Sequence, residues 1–100
     1  MQERRAANRF RVDLNVRWET LKSQGRGAVC DLSSSGCFVL TGGDATPGEL
    51  VRLELILKNE IAALWGHVVY NVSEMGLAVR FSFGNDVYQR LLDRLIEVQP

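Results

Sequence analysis

The stretch that decides the fold is VDLNVRWETL, residues Val12 to Leu21. Its apolar side chains fall at every second position, on Val12, Leu14, Val16 and Trp18. A period of two is typical of a β-strand that buries one face and exposes the other. The sequence therefore predicts a half-buried strand here, with Trp18 in the core.

Five further segments have the composition of strands and are separated by turn-forming residues. They are AVCDL (28–32), CFVLT (37–41), LVRLELIL (50–57), IAALWGHVVYNV (61–72) and LAVRF (77–81). The intervening KSQGRG, SSSG, GGDATPGE and KNE stretches predict turns and loops, and Met75 with Gly76 is expected to close the last hairpin. We expect the long fifth strand to bend at Gly66. Short connections favour antiparallel pairing, and a small antiparallel sheet removes its edges by closing into a barrel.

After Phe83 the pattern changes to that of one amphipathic helix. Val87, Leu91 and Leu95 lie near one helical face, and Asn85 or Asp86 can cap the N-terminus. The predicted fold is thus all-β with one helix. It consists of an arginine-rich arm (1–11), a six-stranded antiparallel β-barrel (12–83) and a C-terminal α-helix (84–98), in a single domain spanning 1–100.

The composition is that of one compact domain. Of the 100 residues, 46% are hydrophobic and 24% charged, which suits a modest core without a second domain. No segment approaches the roughly 20 apolar residues that span a bilayer, and the start lacks a secretory apolar run, so we expect a cytoplasmic protein without membrane contact. Cys30 and Cys37 are expected to be reduced and structural, and with His67 they do not form a metal-ligand pattern.

The zero net charge conceals an asymmetry along the chain. Residues 1–26 contain seven basic and three acidic side chains, so the N-terminal quarter carries plus four and the remainder minus four. A local cationic patch suits an anionic ligand, whereas an otherwise neutral surface argues against broad nucleic-acid binding.

The cationic residues are concentrated in RRAANR, which contains Arg4, Arg5 and Arg9. A guanidinium is a planar fork of donors that fits a phosphate bidentately, pairs with the O6 and N7 edge of guanine and stacks on a base. Several such groups on an arm could wrap a small anion. By itself, an arginine-rich terminus is more often only a solvated tail.

A second motif, DLSSSG, lies between two predicted strands. Asp31 can accept from a base N–H, Ser33 can donate or accept, and Gly36 permits a positive φ that lets backbone approach a ligand. Such turns are also common for purely structural reasons. The two motifs in this order, flanking the first long strand, are a more specific signal than either alone.

In this combination the chain resembles the PilZ domain family, whose signature is RxxxR followed by [D/N]xSxxG. The resemblance extends to RF after the arginines, to WGHVVY, to GLAVRF and to the closing helix, and so covers nearly the whole chain. It implies a split-barrel type of six-stranded antiparallel fold with a C-terminal helix. It also implies binding of the bacterial second messenger cyclic di-GMP, without a cofactor.

The resemblance implies roles for individual residues. In the family, the RxxxR arginines grip the phosphates and contact guanine, and the Asp and Ser of the second motif make polar contacts to guanine. These roles fall on Arg5, Arg9, Asp31 and Ser33, with Gly36 shaping the turn. The residue before RxxxR influences whether one ligand or an intercalated pair is bound, and an arginine there, Arg4, favours the pair.

The resemblance also implies signal transmission. We expect the arm to be mobile when empty and ordered when ligand binds, which would alter contact with an unidentified protein partner. In the family such outputs include motility and biofilm formation. A monomer or a weak dimer is expected.

One residue role and three other functions remain open at this point. Trp65 could stack on a bound guanine, although aromatic residues of small barrels are usually core. His67 has no sequence neighbour that would make it a catalytic base, and no nucleophile–base arrangement indicates an enzyme. The other functional readings are a PilZ-like adaptor without ligand and a small-barrel binder of RNA or single-stranded DNA.

Overall fold

The computed structural model describes residues 9–82, which form six β-strands. They are β1 (Phe10–Glu19), β2 (Gln24–Leu32), β3 (Gly36–Leu40), β4 (Leu50–Ile56), β5 (Ile61–Val72) and β6 (Gly76–Phe81). The predicted helix, residues 84–98, and the arm residues Arg4 and Arg5 lie outside the described residues. Within residues 9–82 there is no helix long and apolar enough to cross a membrane.

The six strands close into a barrel in the order β1-β2-β3-β6-β5-β4, with every neighbouring pair antiparallel. Pairing of β1 with β4 completes the ring, and pairing of β3 with β6 brings the second motif beside the last strand. The predicted six-stranded antiparallel barrel is confirmed.

The barrel interior is filled by the alternating apolar side chains. Trp18 is buried as predicted, and its indole Nε1 donates to Thr41 Oγ1 at 3.1 Å, which satisfies the polar end of the largest core side chain. Cys37 is buried and Cys30 partly buried, and both are free thiols. Burial, with a smaller contribution from Asp31, raises the pKa of Cys37 to about 12, so this thiol is protonated at neutral pH.

Two local expectations were wrong in detail. Most of KSQGRG is not a turn, because β2 begins at Gln24, directly opposite Glu19 of β1. The actual turn is tighter and is held by Thr20, whose Oγ1 accepts from the backbone N–H groups of Lys22 at 3.2 Å and Ser23 at 3.0 Å. The Thr20 side chain thus stabilises a turn that is shorter than the expected one.

The irregularity in β5 also differs from the expectation. The register shifts between Val68 and Tyr70, not at Gly66. Gly66 instead permits a close approach of β6, because a Cβ there would lie 2.4 Å from the carbonyl oxygen of Arg80. The last hairpin turns through residues 73–75, so Gly76 already belongs to β6.

Candidate functional site

An open groove of about 390 Å³ crosses the outer face of the barrel between β2 and β5. Arg9 of the first motif lines it, together with Asp31, Ser33 and Gly36 of the second. The barrel therefore brings together two motifs that are separated in sequence. Arg4 and Arg5 lie outside the described residues, and their predicted contacts stay predictions.

The two motifs meet through one ion pair. Arg9 Nη1 donates to Asp31 Oδ2 at 3.0 Å, with 72% of the Arg9 side chain and 34% of the Asp31 side chain exposed. Such a surface pair contributes only about 0–1 kcal/mol to stability. Asp31 Oδ1, by contrast, is buried and has no hydrogen-bond partner within residues 9–82. A buried acceptor without a donor is costly, so this oxygen is suited to receive an N–H group from a ligand.

The position of Asp31 follows from irregularities in the strands around it. The β1–β2 register shifts between Arg11 and Leu14, and the β2–β3 register shifts between Val29 and Asp31. A bulge adds a residue to one strand and re-aims the side chains that follow it. Asp31 comes directly after such a shift, where it faces Arg11 on one side and Phe38 on the other.

Ser33 organises the turn between β2 and β3. Its Oγ accepts from the backbone N–H groups of Ser35 at 3.2 Å and Gly36 at 3.3 Å, and its own N–H donates to the Gly36 carbonyl at 2.9 Å. Only 4% of the residue is exposed. The side chain thus shapes the loop beside the groove, whereas its predicted contact with guanine stays a prediction.

Gly36 is required for a different reason from the one expected. Its φ is not positive; within residues 9–82 the only glycine with a positive φ is Gly48. A Cβ on Gly36 would lie 2.3 Å from the carbonyl oxygen of Val79 on β6. Only a shift of the backbone would relieve this clash. The missing side chain therefore lets β3 approach β6 closely at the start of the groove.

Two aromatic residues that the sequence analysis did not single out line the groove. The rings of Phe38 and Tyr70 are tilted by 40°, with centroids 6.4 Å apart. They flank Ala78, which pairs with Phe38 on β3 and with Tyr70 on β5. The alternation of CFVLT could have indicated that Phe38 faces outward. Tyr70 could not have been found this way, since the shift after Val68 changes the phase of β5.

Trp65 lies elsewhere on the barrel. It is 44% exposed on the outer face of β5, opposite Arg52 of β4, so the core alternative is wrong for this residue. It is not among the residues that line the groove. The structure therefore does not bring Trp65 together with Arg9 and Asp31, and its stacking role stays a prediction.

His67 is also on the outer face of β5, and its Nδ1 is 2.8 Å from Ser82 Oγ. This hydrogen bond gives the imidazole a structural partner beside β6. Within residues 9–82, no three His, Cys, Asp or Glu side chains are arranged to hold a metal ion.

A second groove, of about 480 Å³, lies against β1, β2 and β4 and contains neither motif. Glu54 lines this groove and forms two ion pairs. Arg17 Nη2 is 3.1 Å from its Oε1, and Arg52 Nη1 binds its Oε2. The hydrogen bond from Arg52, with a smaller contribution from Arg17, lowers the pKa of Glu54 below its usual range. Both carboxylate oxygens of Glu54 are thus bound by arginine.

Comparison with known proteins agrees with the fold and with the family resemblance. The sequence model of the PilZ domain family matches residues 3–98. Among solved structures, the PilZ domain with c-di-GMP of YcgR from Escherichia coli superposes with a TM-score of 0.81 at 16% identity, covering 95% of this chain and 90% of that one. A search of curated protein sequences finds no significant match.

Two further solved structures share the fold. The PilZ domain of CeSA from a cellulose-synthesizing bacterium has a TM-score of 0.72 at 17% identity, covering 90% of this chain and 95% of that one. The Bacillus subtilis inhibitor of motility, MotI/DgrA, has a TM-score of 0.69 at 20% identity. The match covers 99% of this chain and 55% of that protein, which is therefore considerably longer than the matched region.

Proposed function

This chain belongs to the PilZ domain family, and we propose that it is a receptor for cyclic di-GMP that binds the nucleotide in the groove between β2 and β5. The observation that carries the proposal is the Asp31 carboxylate, which binds Arg9 through one oxygen, while the other oxygen is buried and has no partner among residues 9–82. The similar E. coli PilZ domain, whose structure includes c-di-GMP, supports the choice of ligand.

The chemistry of the groove fits the parts of this ligand. Guanine presents a ring N–H and an exocyclic amino group on one edge, and a carboxylate accepts two such donors side by side. Arg9 can then exchange Asp31 for a phosphate oxygen, so neither charged group loses a partner on binding. The rings of Phe38 and Tyr70 provide apolar faces at the same groove.

Binding is proposed to act through the arm. Ligand contacts with Arg5 and Arg9 would order the segment that precedes β1 and change the surface presented to a protein partner in the cytoplasm. In this proposal the chain is a receptor and not an enzyme, and its output is control of a process such as motility or biofilm formation. Arg4 favours an intercalated ligand pair over a single molecule.

Isothermal titration of the full chain with cyclic di-GMP, GTP and cyclic di-AMP tests the proposal. We expect selective binding of cyclic di-GMP at micromolar or tighter affinity, with the stoichiometry distinguishing one molecule from a pair. No heat and no competition from a folded sample would overturn the receptor function and leave an adaptor of the PilZ fold.

Hydrogen exchange tests the transmission step separately. We expect slower exchange of residues 3–10 when cyclic di-GMP is bound, because an arm that contacts ligand has fewer open states. Exchange that is unchanged in a sample shown by titration to be saturated would exclude the arm as the responding element.

A nucleic-acid-binding function is less well supported. A binder of single strands needs basic residues interleaved with exposed aromatics along one sheet face. In the described part of the barrel, Arg17 and Arg52 are instead both committed to Glu54. Titration with a single-stranded oligonucleotide is a direct check, and we expect no binding at physiological salt.

A further inference from the structure

We propose that Arg80 is a further ligand-binding residue, whose guanidinium contacts a phosphate of the bound dinucleotide from the wall of the groove opposite the arm. The inference rests on the proposed function and assigns a residue that belongs to neither motif. Arg80 is an exposed residue of β6 that lines the same groove as Arg9 and Asp31.

The residues next to Arg80 leave space for its side chain. Directly opposite it are Gly36 on β3 and His67 on β5. Gly36 has no side chain, and Ala78, two residues earlier on β6, has a small one. The imidazole of His67 is engaged by Ser82. The guanidinium of Arg80 can therefore reach across Gly36 toward the end of β2, where Asp31 lies.

The register sets the spacing between the two walls of the groove. Asp31, Phe38 and Ala78 form one cross-strand row over β2, β3 and β6, and Arg80 lies two residues beyond Ala78. With strands about 4.8 Å apart and two residues spanning about 6.8 Å, the Cα atoms of Asp31 and Arg80 are about 12 Å apart. A dinucleotide with two phosphates can contact cations on both sides of such a gap.

The charge of Arg80 is available for a ligand. Within residues 9–82 its guanidinium has no ion pair and no side-chain hydrogen bond, in contrast with Arg9, Arg17 and Arg52, which each bind a carboxylate. An unpaired planar cation beside a polar groove is suited to bind a phosphate bidentately.

The backbone of Arg80 is held on both sides. It is on a strand that pairs with β3 on one side and with β5 on the other. Its backbone is therefore already ordered before ligand arrives, so binding has only its side chain to immobilise. Arg80 is thus a preorganised contact, complementary to contacts that the arm makes.

The test is titration of the full chain and three variants with cyclic di-GMP. We expect Arg80→Gln to bind about tenfold more weakly, as for loss of one charge-assisted hydrogen bond. Arg80→Lys should recover part of the loss, because it keeps the charge but not the fork. The matched control is Arg26→Gln, which removes an exposed arginine from the second groove and should bind within twofold of the unmodified chain.

The outcomes separate this inference from the proposed function. If the unmodified chain binds and Arg80→Gln binds equally well, the Arg80 assignment is overturned and the receptor function stands. If the unmodified chain does not bind, both are overturned. Should Arg80→Gln fail to fold, the Nε–H resonance of Arg80 in the unmodified chain decides: a shift on adding cyclic di-GMP supports the contact, and no shift at saturation overturns it.

Discussion

The motif groove, which contains Arg9 and Asp31, and the second groove each pair arginine with a carboxylate, yet the two carboxylates differ in how many of their oxygens are bound. In the second groove, both oxygens of Glu54 are bound, one by Arg17 and one by Arg52. In the groove that contains the motifs, Asp31 is bound through one oxygen only, and its other oxygen is buried without a partner among residues 9–82.

The difference shows that the number of cations does not by itself indicate a ligand site. Each oxygen of Glu54 already binds an arginine, and opening that arrangement to an anion would take these partners from Glu54. Within residues 9–82, the motif groove instead has an acceptor on Asp31 and a cation on Arg80 that bind no other side chain. A nucleotide can supply an N–H donor for such an acceptor and a phosphate for such a cation.

The largest expected effect follows from removing the two arginines of the RxxxR motif. Arg5→Ala/Arg9→Ala should weaken cyclic di-GMP binding by about two to four decades, since two arginine–phosphate interactions contribute about 3–6 kcal/mol. Isothermal titration measures the loss. The matched control is Arg17→Ala/Arg52→Ala in the second groove, and an equal loss there would remove the distinction between the grooves.

Asp31→Ala should separate binding from stability. We expect binding about 10- to 100-fold weaker, because the guanine donors lose their acceptor. The free energy of unfolding should change by less than about 1 kcal/mol, since the Arg9 pair is exposed. Titration and urea unfolding of one sample provide both values. A large loss of stability with intact binding would make Asp31 a structural residue.

Gly36→Ala tests the close approach of β3 and β6 at the motif groove. The new Cβ would meet the Val79 carbonyl, so we expect a loss of about 1–3 kcal/mol in the free energy of unfolding. Gly42→Ala is the control, because a Cβ at Gly42 has no heavy atom within 4 Å and its φ is not positive. Urea unfolding that showed equal stability for both variants would contradict the close approach of β3 and β6.

The pH dependence of stability should reflect Cys37, which also lines the motif groove. Its pKa rises from 9.0 to about 12 on burial, so the unfolded chain loses this proton first. Stability therefore decreases as pH rises from about 9, with a slope of at most about 1.4 kcal/mol per pH unit from this group. Urea unfolding between these pH values should show a shallower decrease for Cys37→Val, and identical slopes would exclude the contribution.

The smallest effect is expected in the second groove. Arg52→Gln should leave cyclic di-GMP binding within twofold and change the free energy of unfolding only slightly, because the Arg52–Glu54 pair lies near the surface. The same titration and unfolding measurements apply. A clear loss of binding would place the ligand, or part of it, in the second groove.

Much of the fold could be predicted because the barrel follows local patterns. The period of two in β1 and the turn residues between segments predicted six strands, and β5 has the predicted bounds, 61–72. The wrong details, the turn predicted over KSQGRG and the bend predicted at Gly66, are places where pairing with a neighbouring strand decided the conformation. Such pairing is a long-range contact that a local pattern does not contain.

By itself, the sequence determined which side chains alternate into the core, the order of the two motifs and the family to which the chain belongs. Only the tertiary structure decided that Phe38, Tyr70 and Arg80 join Asp31 in one groove, that Trp65 lies outside it, and that Gly36 serves a close approach of strands. The physical reason is that alternation specifies the face of a strand but not its neighbours. Register and bulges, set by contacts across the barrel, decide which outward side chains meet.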